Sequence, residues 1–87
     1  MAYRVEMMPA AAKQLDKLPR IEQARIVAAV YDLEDDPRPP GSVKLAGAKD
    51  LWRIRVGEYR VIYEIHDDRL VVLVIRIGHR RDIYRRR

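Results

Sequence analysis

Leu51-Trp52-Arg53-Ile54-Arg55-Val56-Gly57-Glu58-Tyr59-Arg60-Val61-Ile62-Tyr63-Glu64-Ile65-His66 is the stretch that decides the fold. Trp52, Ile54 and Val56 alternate with Arg53 and Arg55. After Gly57-Glu58, the residues Tyr59, Val61, Tyr63 and Ile65 alternate with Arg60, Ile62 and Glu64. Alternation of this kind marks half-buried strands, and a two-residue glycine-containing break between two such runs marks a tight hairpin. If Trp52, Ile54, Tyr59, Val61 and Tyr63 pack into a core, then Arg53, Arg55 and Arg60 emerge on the other face, within cross-strand reach of one another.

Working outward, Asp67-Asp68 supplies the next turn. Residues 70–77 are apolar on both faces apart from Arg76, which reads as a central strand ended by Gly78. Toward the N-terminus, Tyr3, Val5 and Met7 alternate against Arg4 and Glu6 in a first strand. Pro9 suits a helix's first turn, residues 10–18 hold no breaker, and Pro19 opens a second helix. In residues 21–34 the set Ile26, Ala29, Val30 and Leu33 follows helical spacing. Residues 35–41, with three prolines and a glycine, form a loop within the domain. The order β-α-α-β-β-β predicts one α+β domain over residues 1–87: a curled, mostly antiparallel four-stranded sheet with an N-terminal helical hairpin on one face.

Composition narrows the function classes. The chain has 87 residues, 48% of them hydrophobic, and no cysteine. At about this size only roughly 60% of the unfolded surface is buried on folding, so the core is thin. Without thiolates there are no disulfides, zinc fingers or cysteine nucleophiles. No apolar run approaches the ~20 residues of a membrane span, and no signal-peptide pattern opens the chain, so a cytoplasmic setting is expected.

The net charge of +5 is unevenly placed. Residues 1–50 hold eight Lys/Arg and eight Asp/Glu, whereas residues 51–87 hold ten arginines, no lysine and five acids. Arginine pairs with phosphate bidentately and stacks on bases, as lysine does not. The excess suits an anionic partner, either nucleic acid or an acidic protein segment; a solvated basic face is the bland alternative. Another is that the strand arginines are spread and paired with Glu58, Glu64 and Asp67, as surface ion pairs commonly are.

The last residues, Gly78-His79-Arg80-Arg81-Asp82-Ile83-Tyr84-Arg85-Arg86-Arg87, add five arginines, a histidine and a tyrosine. Alone they read as a flexible electrostatic arm; beside the strand arginines they form a more specific set. The inventory lacks a metal-ligand cluster, a Ser-His-Asp order, a glycine-rich phosphate loop and paired acids. It fits metal-independent RNA cleavage, in which the substrate's own 2′-hydroxyl attacks and the protein supplies a base, an acid and cationic stabilisation of the phosphate. Arginine stays protonated and cannot be the base. Tyr84, with its phenolate favoured by neighbouring guanidiniums, and His79, which titrates near neutral pH, are the candidates. No metal and no cofactor is expected.

These residues resemble a known family. Lys44-Leu45-Ala46-Gly47, the strand-turn-strand of residues 51–64, and the closing Gly78-His79-Arg80-Arg81-Asp82-Ile83-Tyr84 are similar to RelE toxins of the RelE/ParE superfamily, over nearly the whole chain. The resemblance implies a type II toxin that enters the ribosomal A site and cuts mRNA there. It also implies a cognate antitoxin that wraps the toxin into a hetero-oligomer. It places Arg60 and Arg80 at the scissile phosphate and Tyr84 at proton transfer, with His79, where the family has basic residues, competing; Arg53 and Arg55, and with them Arg81 and Arg85, are read as binding RNA. RelE proteins often carry lysines where this strand has Arg53 and Arg55, so a strand lysine cannot serve here as proton acceptor. The rival expectation is a ParE-like DNA gyrase inhibitor without nuclease activity, which would share the fold.

Overall fold

The computed structural model describes residues 2–47 and 50–82. The elements run β1 (Arg4–Met7), α1 (Pro9–Asp16), α2 (Arg20–Asp32), β2 (Val43–Lys44), β3 (Leu51–Val56), β4 (Tyr59–His66) and β5 (Val71–His79). They build a five-stranded sheet in the order β1-β5-β4-β3-β2, antiparallel except for the β1–β5 pair. None of the described helices is long and apolar enough to cross a membrane.

The expected α+β fold is present, with the sheet one strand larger than expected. The addition is β2, whose two residues pair with Arg53 and Trp52. So short a strand after a proline-rich loop leaves no alternation to read. The second difference is at the end of β5. Gly78 does not terminate it, because Gly78 pairs with Arg60 and His79 with Tyr59 before the ladder ends. The apolar β5 is central, flanked by β1 and β4, as its composition predicts.

The helices form as their prolines and apolar spacing dictate. Pro9 opens α1 in the first turn, and Pro19 caps α2 from an extended conformation. Gln23 of α2 donates to the carbonyls of Asp16 and Leu18, satisfying acceptors left over where α1 ends. Ala11, Ile26, Val30 and Leu33 are buried against Ile54, Val61, Tyr63, Ile65, Val72, Val74 and Ile77, with Trp52, Val56 and Tyr59 packed at the margin. Once β1 ends, β5 loses its neighbour on that side, and Gln14 of α1 takes over by accepting the Ile77 N–H at 2.8 Å.

A bulge at Ile75 matters for the other face. Tyr63 pairs with Val74 while Ile62 pairs with Arg76, so Ile75 has no opposite number. The extra residue turns Ile77 into the core and Arg76 away from the helices. Without it, Arg76 would continue the phase of Val72 and Val74 and point at α1.

Candidate functional site

The sheet face away from the helices carries two cross-strand rows. Nearest the β3–β4 turn, Arg55 on β3 stands opposite Arg60 on β4, which stands opposite Gly78 on β5. In the next row Arg53, Ile62 and Arg76 align across the same strands. Directly opposed residues lie about 5 Å apart at Cβ, so an Arg–Arg register concentrates positive potential. Gly78 presents no side chain, leaving a bare backbone floor beside Arg60. The Nε of Arg60 is buried, so its stem lies along the sheet rather than in solvent.

Arg80 follows Gly78 by two residues and reaches the same side by strand alternation. Its backbone N–H donates to the Glu58 carbonyl at 2.8 Å, and its Nε pairs with the Glu58 carboxylate at 3.1 Å. Both contacts hold it over the β3–β4 turn. Gly57 makes that turn with φ 61, the positive value that the first residue of a II′-type hairpin needs. Arg55 Nε donates to the Gly57 carbonyl at 3.2 Å. Arg53, Arg55, Arg60 and Arg80 are thus brought to one end of one face.

His79 is not brought there. Its pairing with Tyr59 puts it on the helix side, where the two rings meet edge to face with centroids 5.6 Å apart. Its Nδ1 accepts the Arg81 N–H at 3.2 Å, and the Arg81 side chain is exposed. Tyr84 and Arg85 lie outside the described residues.

The carboxylates offered above as partners for the strand arginines make other contacts as well. Glu58 holds Arg80, Glu64 accepts from His66 Nε2 at 2.8 Å, and Asp67 accepts from Arg38 at 2.8 Å and from the Tyr3 hydroxyl at 2.5 Å. The Arg38 hydrogen bond, then that of Tyr3, holds the Asp67 carboxyl below its usual range, while Asp67 pushes the Tyr3 phenol up. The Arg38 guanidinium also lies 5.2 Å from the Trp52 ring centroid. Nearby, the buried Tyr63 hydroxyl donates to the Pro37 carbonyl at 2.7 Å, and burial pushes its pKa up to about 12. This second cluster tethers the proline loop to the far end of the sheet.

Sequence reading passed over Arg76 and this Arg38 clasp. Arg76 appeared only as the lone charge in an apolar run, because the bulge that reorients it has no side-chain signature. Among the described residues no three His, Asp or Glu side chains are placed to hold a metal.

Three comparisons bear on the whole. The family of ParE toxins of the type II toxin–antitoxin system parDE matches residues 5–84. Toxin RelG of Mycobacterium tuberculosis is 37% identical over 87 residues, covering 99% of this chain and 100% of that protein. The mRNA interferase toxin RelE of Escherichia coli K12 is 29% identical over 82 residues, covering 92% and 85%. Among solved structures, the archaeal RelE–RelB complex from Pyrococcus horikoshii matches with a TM-score of 0.83 at 33% identity, covering 92% of this chain and 97% of its counterpart.

Proposed function

The chain belongs to the RelE toxins of the RelE/ParE superfamily of type II toxin–antitoxin systems, and from that premise we propose that it cuts mRNA in the ribosomal A site. The observation that carries this reading is the Arg55–Arg60–Gly78 row with Arg80 beside it. A phosphodiester laid over the bare Gly78 backbone meets guanidiniums from two strands and from the residue just beyond β5. In this mechanism a base takes the 2′-hydroxyl proton, the 2′-oxygen bonds to phosphorus, and the 5′-oxygen leaves with a proton from an acid. The products are a 2′,3′-cyclic phosphate and a 5′-hydroxyl.

Arg60 and Arg80 stabilise the extra charge on the phosphoryl oxygens, which grows in the transition state. Arg53 and Arg55, with Arg81 and Arg85, hold flanking phosphates. Tyr84 moves the proton, and the turning of the His79 ring toward Tyr59 favours Tyr84 over His79 for that role. No metal takes part in this scheme. A site so poor in ordinary bases relies on the ribosome to align its substrate.

The partner in this reading is a cognate antitoxin, as RelB partners RelE in the Pyrococcus complex. It would cover the helical hairpin and the β1 edge, where Val5, Met7, Val27 and Tyr31 line an apolar groove. The cell compartment is the cytoplasm, where ribosomes are met. Mapping mRNA 5′ ends by primer extension in a reconstituted translation system tests the proposal. Cuts within the A-site codon, absent with Arg80→Ala and with a 2′-deoxynucleotide at the cut position, are expected. Intact message would favour gyrase inhibition, the reading to which the ParE family match lends support, and a supercoiling assay would then decide.

A further inference from the structure

Beside the arginine rows, on the edge of β3, lies a cleft that the reading above leaves unused. β2 pairs only with Trp52 and Arg53, so from Ile54 onward that edge is bordered by helix α2 and residues 39–41 instead. The cleft, half open to solvent, has a volume of about 340 Å³, at the lower end of the range of small-ligand sites. Ile54 and Ala29 line it, together with the rings of Pro39 and Pro40. Its lining carries one charge of each sign, Arg55 and Asp32.

Arg55 lines the cleft next to the β3–β4 turn. Its Nε bonds the Gly57 carbonyl, and Arg25 of α2 reaches the same turn, its Nη1 3.8 Å from where a Gly57 side chain would begin. Two guanidiniums therefore converge on Gly57 from two elements. Asp32 also lines the cleft, on the same α2 stripe as Arg25 and Ala29 and about 10 Å along the helix from Arg25. It is the last residue of α2, whose final turn holds no basic residue. The carboxylate is exposed there and opposes the helix dipole. Among the described residues no cation pairs with it.

We propose that this cleft holds a guanine nucleotide of the RNA strand, its base on Asp32 and its phosphate on Arg25 and Arg55. The assignment rests on the RNA reading of the arginine face, to which Arg55 joins the cleft through its register with Arg60. The apolar middle takes the faces of a base. A carboxylate offers two adjacent acceptors, and guanine alone among the four bases presents two adjacent N–H donors, N1 and N2. Adenine and cytosine place a ring acceptor beside their amino group, and uracil flanks its one N–H with two carbonyls. Each would turn a lone pair toward one carboxylate oxygen.

Titrating the ¹⁵N-labelled full-length chain with GMP and AMP, followed by amide shifts, tests the site. GMP is expected to shift Ala29, Asp32 and Ile54 and to bind at least tenfold more tightly than AMP. Asp32→Asn should erase that preference. Arg25→Ala should weaken GMP several-fold and leave guanosine unchanged. GMP shifts mapping outside the cleft, or an Asp32→Asn variant that keeps the preference, would overturn the proposal. A cleavage assay on the same preparation separates the two readings. GMP in the cleft of a protein that leaves message intact upholds the site and sinks the nuclease, and cleavage without cleft shifts does the reverse.

Discussion

Arg38 and Arg60 stand toward opposite ends of β4 and do different things with the same side chain. Arg38 is clasped by Asp67, itself bound by Tyr3, and its guanidinium lies over Trp52. Those contacts tie the start of β1, the proline loop, β3 and the β4–β5 turn together. Arg60 instead sits in register with Arg55 on one side and Gly78 on the other, so a second cationic residue stands directly across the ladder from it. A cation matched to a carboxylate and an indole stabilises a fold. Cations aligned in a row raise the free energy of the empty site and lower it when an anion arrives. Arginine content alone does not separate the two positions; cross-strand register and carboxylate partners do.

The largest expected effect tests the arginine end. Arg80→Ala should lower cleavage on the ribosome by about 10²- to 10³-fold, the usual loss for one transition-state donor. Growth arrest should vanish with it, as with Tyr84→Phe, while circular dichroism and antitoxin binding stay intact. A fully toxic Tyr84→Phe variant would move proton transfer to another group.

The next effect tests the clasped end. Tyr63→Phe leaves the Pro37 carbonyl without its donor in the interior and should cost about 1–3 kcal/mol in urea unfolding. Because the Tyr63 pKa is raised in the folded chain, its contribution is complete below ~10, the unfolded value, and is lost as pH climbs toward about 12. The wild type should therefore weaken over that alkaline window and Tyr63→Phe should lack this part of the decline.

A smaller change separates the rows. Arg53→Ala and Arg76→Ala should each reduce the slope of log affinity against log salt for single-stranded RNA by ~0.7, the value for one phosphate contact. An unchanged slope would place that arginine off the RNA path.

The smallest effect lies at acid pH. The folded Asp67 pKa is depressed, so its stabilisation is present above the ordinary carboxylate value of ~3.9 and is lost as pH falls through the folded one. Asp67→Asn should flatten the acid limb of a thermal melting series without touching cleavage.

Much of this was legible from residue order alone. The 51–66 hairpin gives the two faces of β3 and β4, and the double-sided apolarity of β5 places it centrally. Arg53, Arg55 and Arg60 share a face because alternation requires it. What alternation could not reveal is where it breaks. The Ile75 bulge changes the direction of Arg76 and Ile77, yet residues 70–75 are all apolar, so they carry no alternation whose break could be read. For the same reason His79, counted with the arginines by sequence proximity, points to Tyr59 across the sheet. The Arg38–Asp67 pair joins residues 29 positions apart, and nothing local announces it.

The most direct test of the account sets the two arginines against each other in single-turnover cleavage on programmed ribosomes. Arg60→Ala should lose at least ~100-fold in rate, whereas Arg38→Ala, compared at a temperature where both remain folded, should stay close to wild type. Equal losses in the two variants, or an Arg60→Ala protein that cuts as fast as wild type, would contradict the assignment of catalysis to the arginine rows.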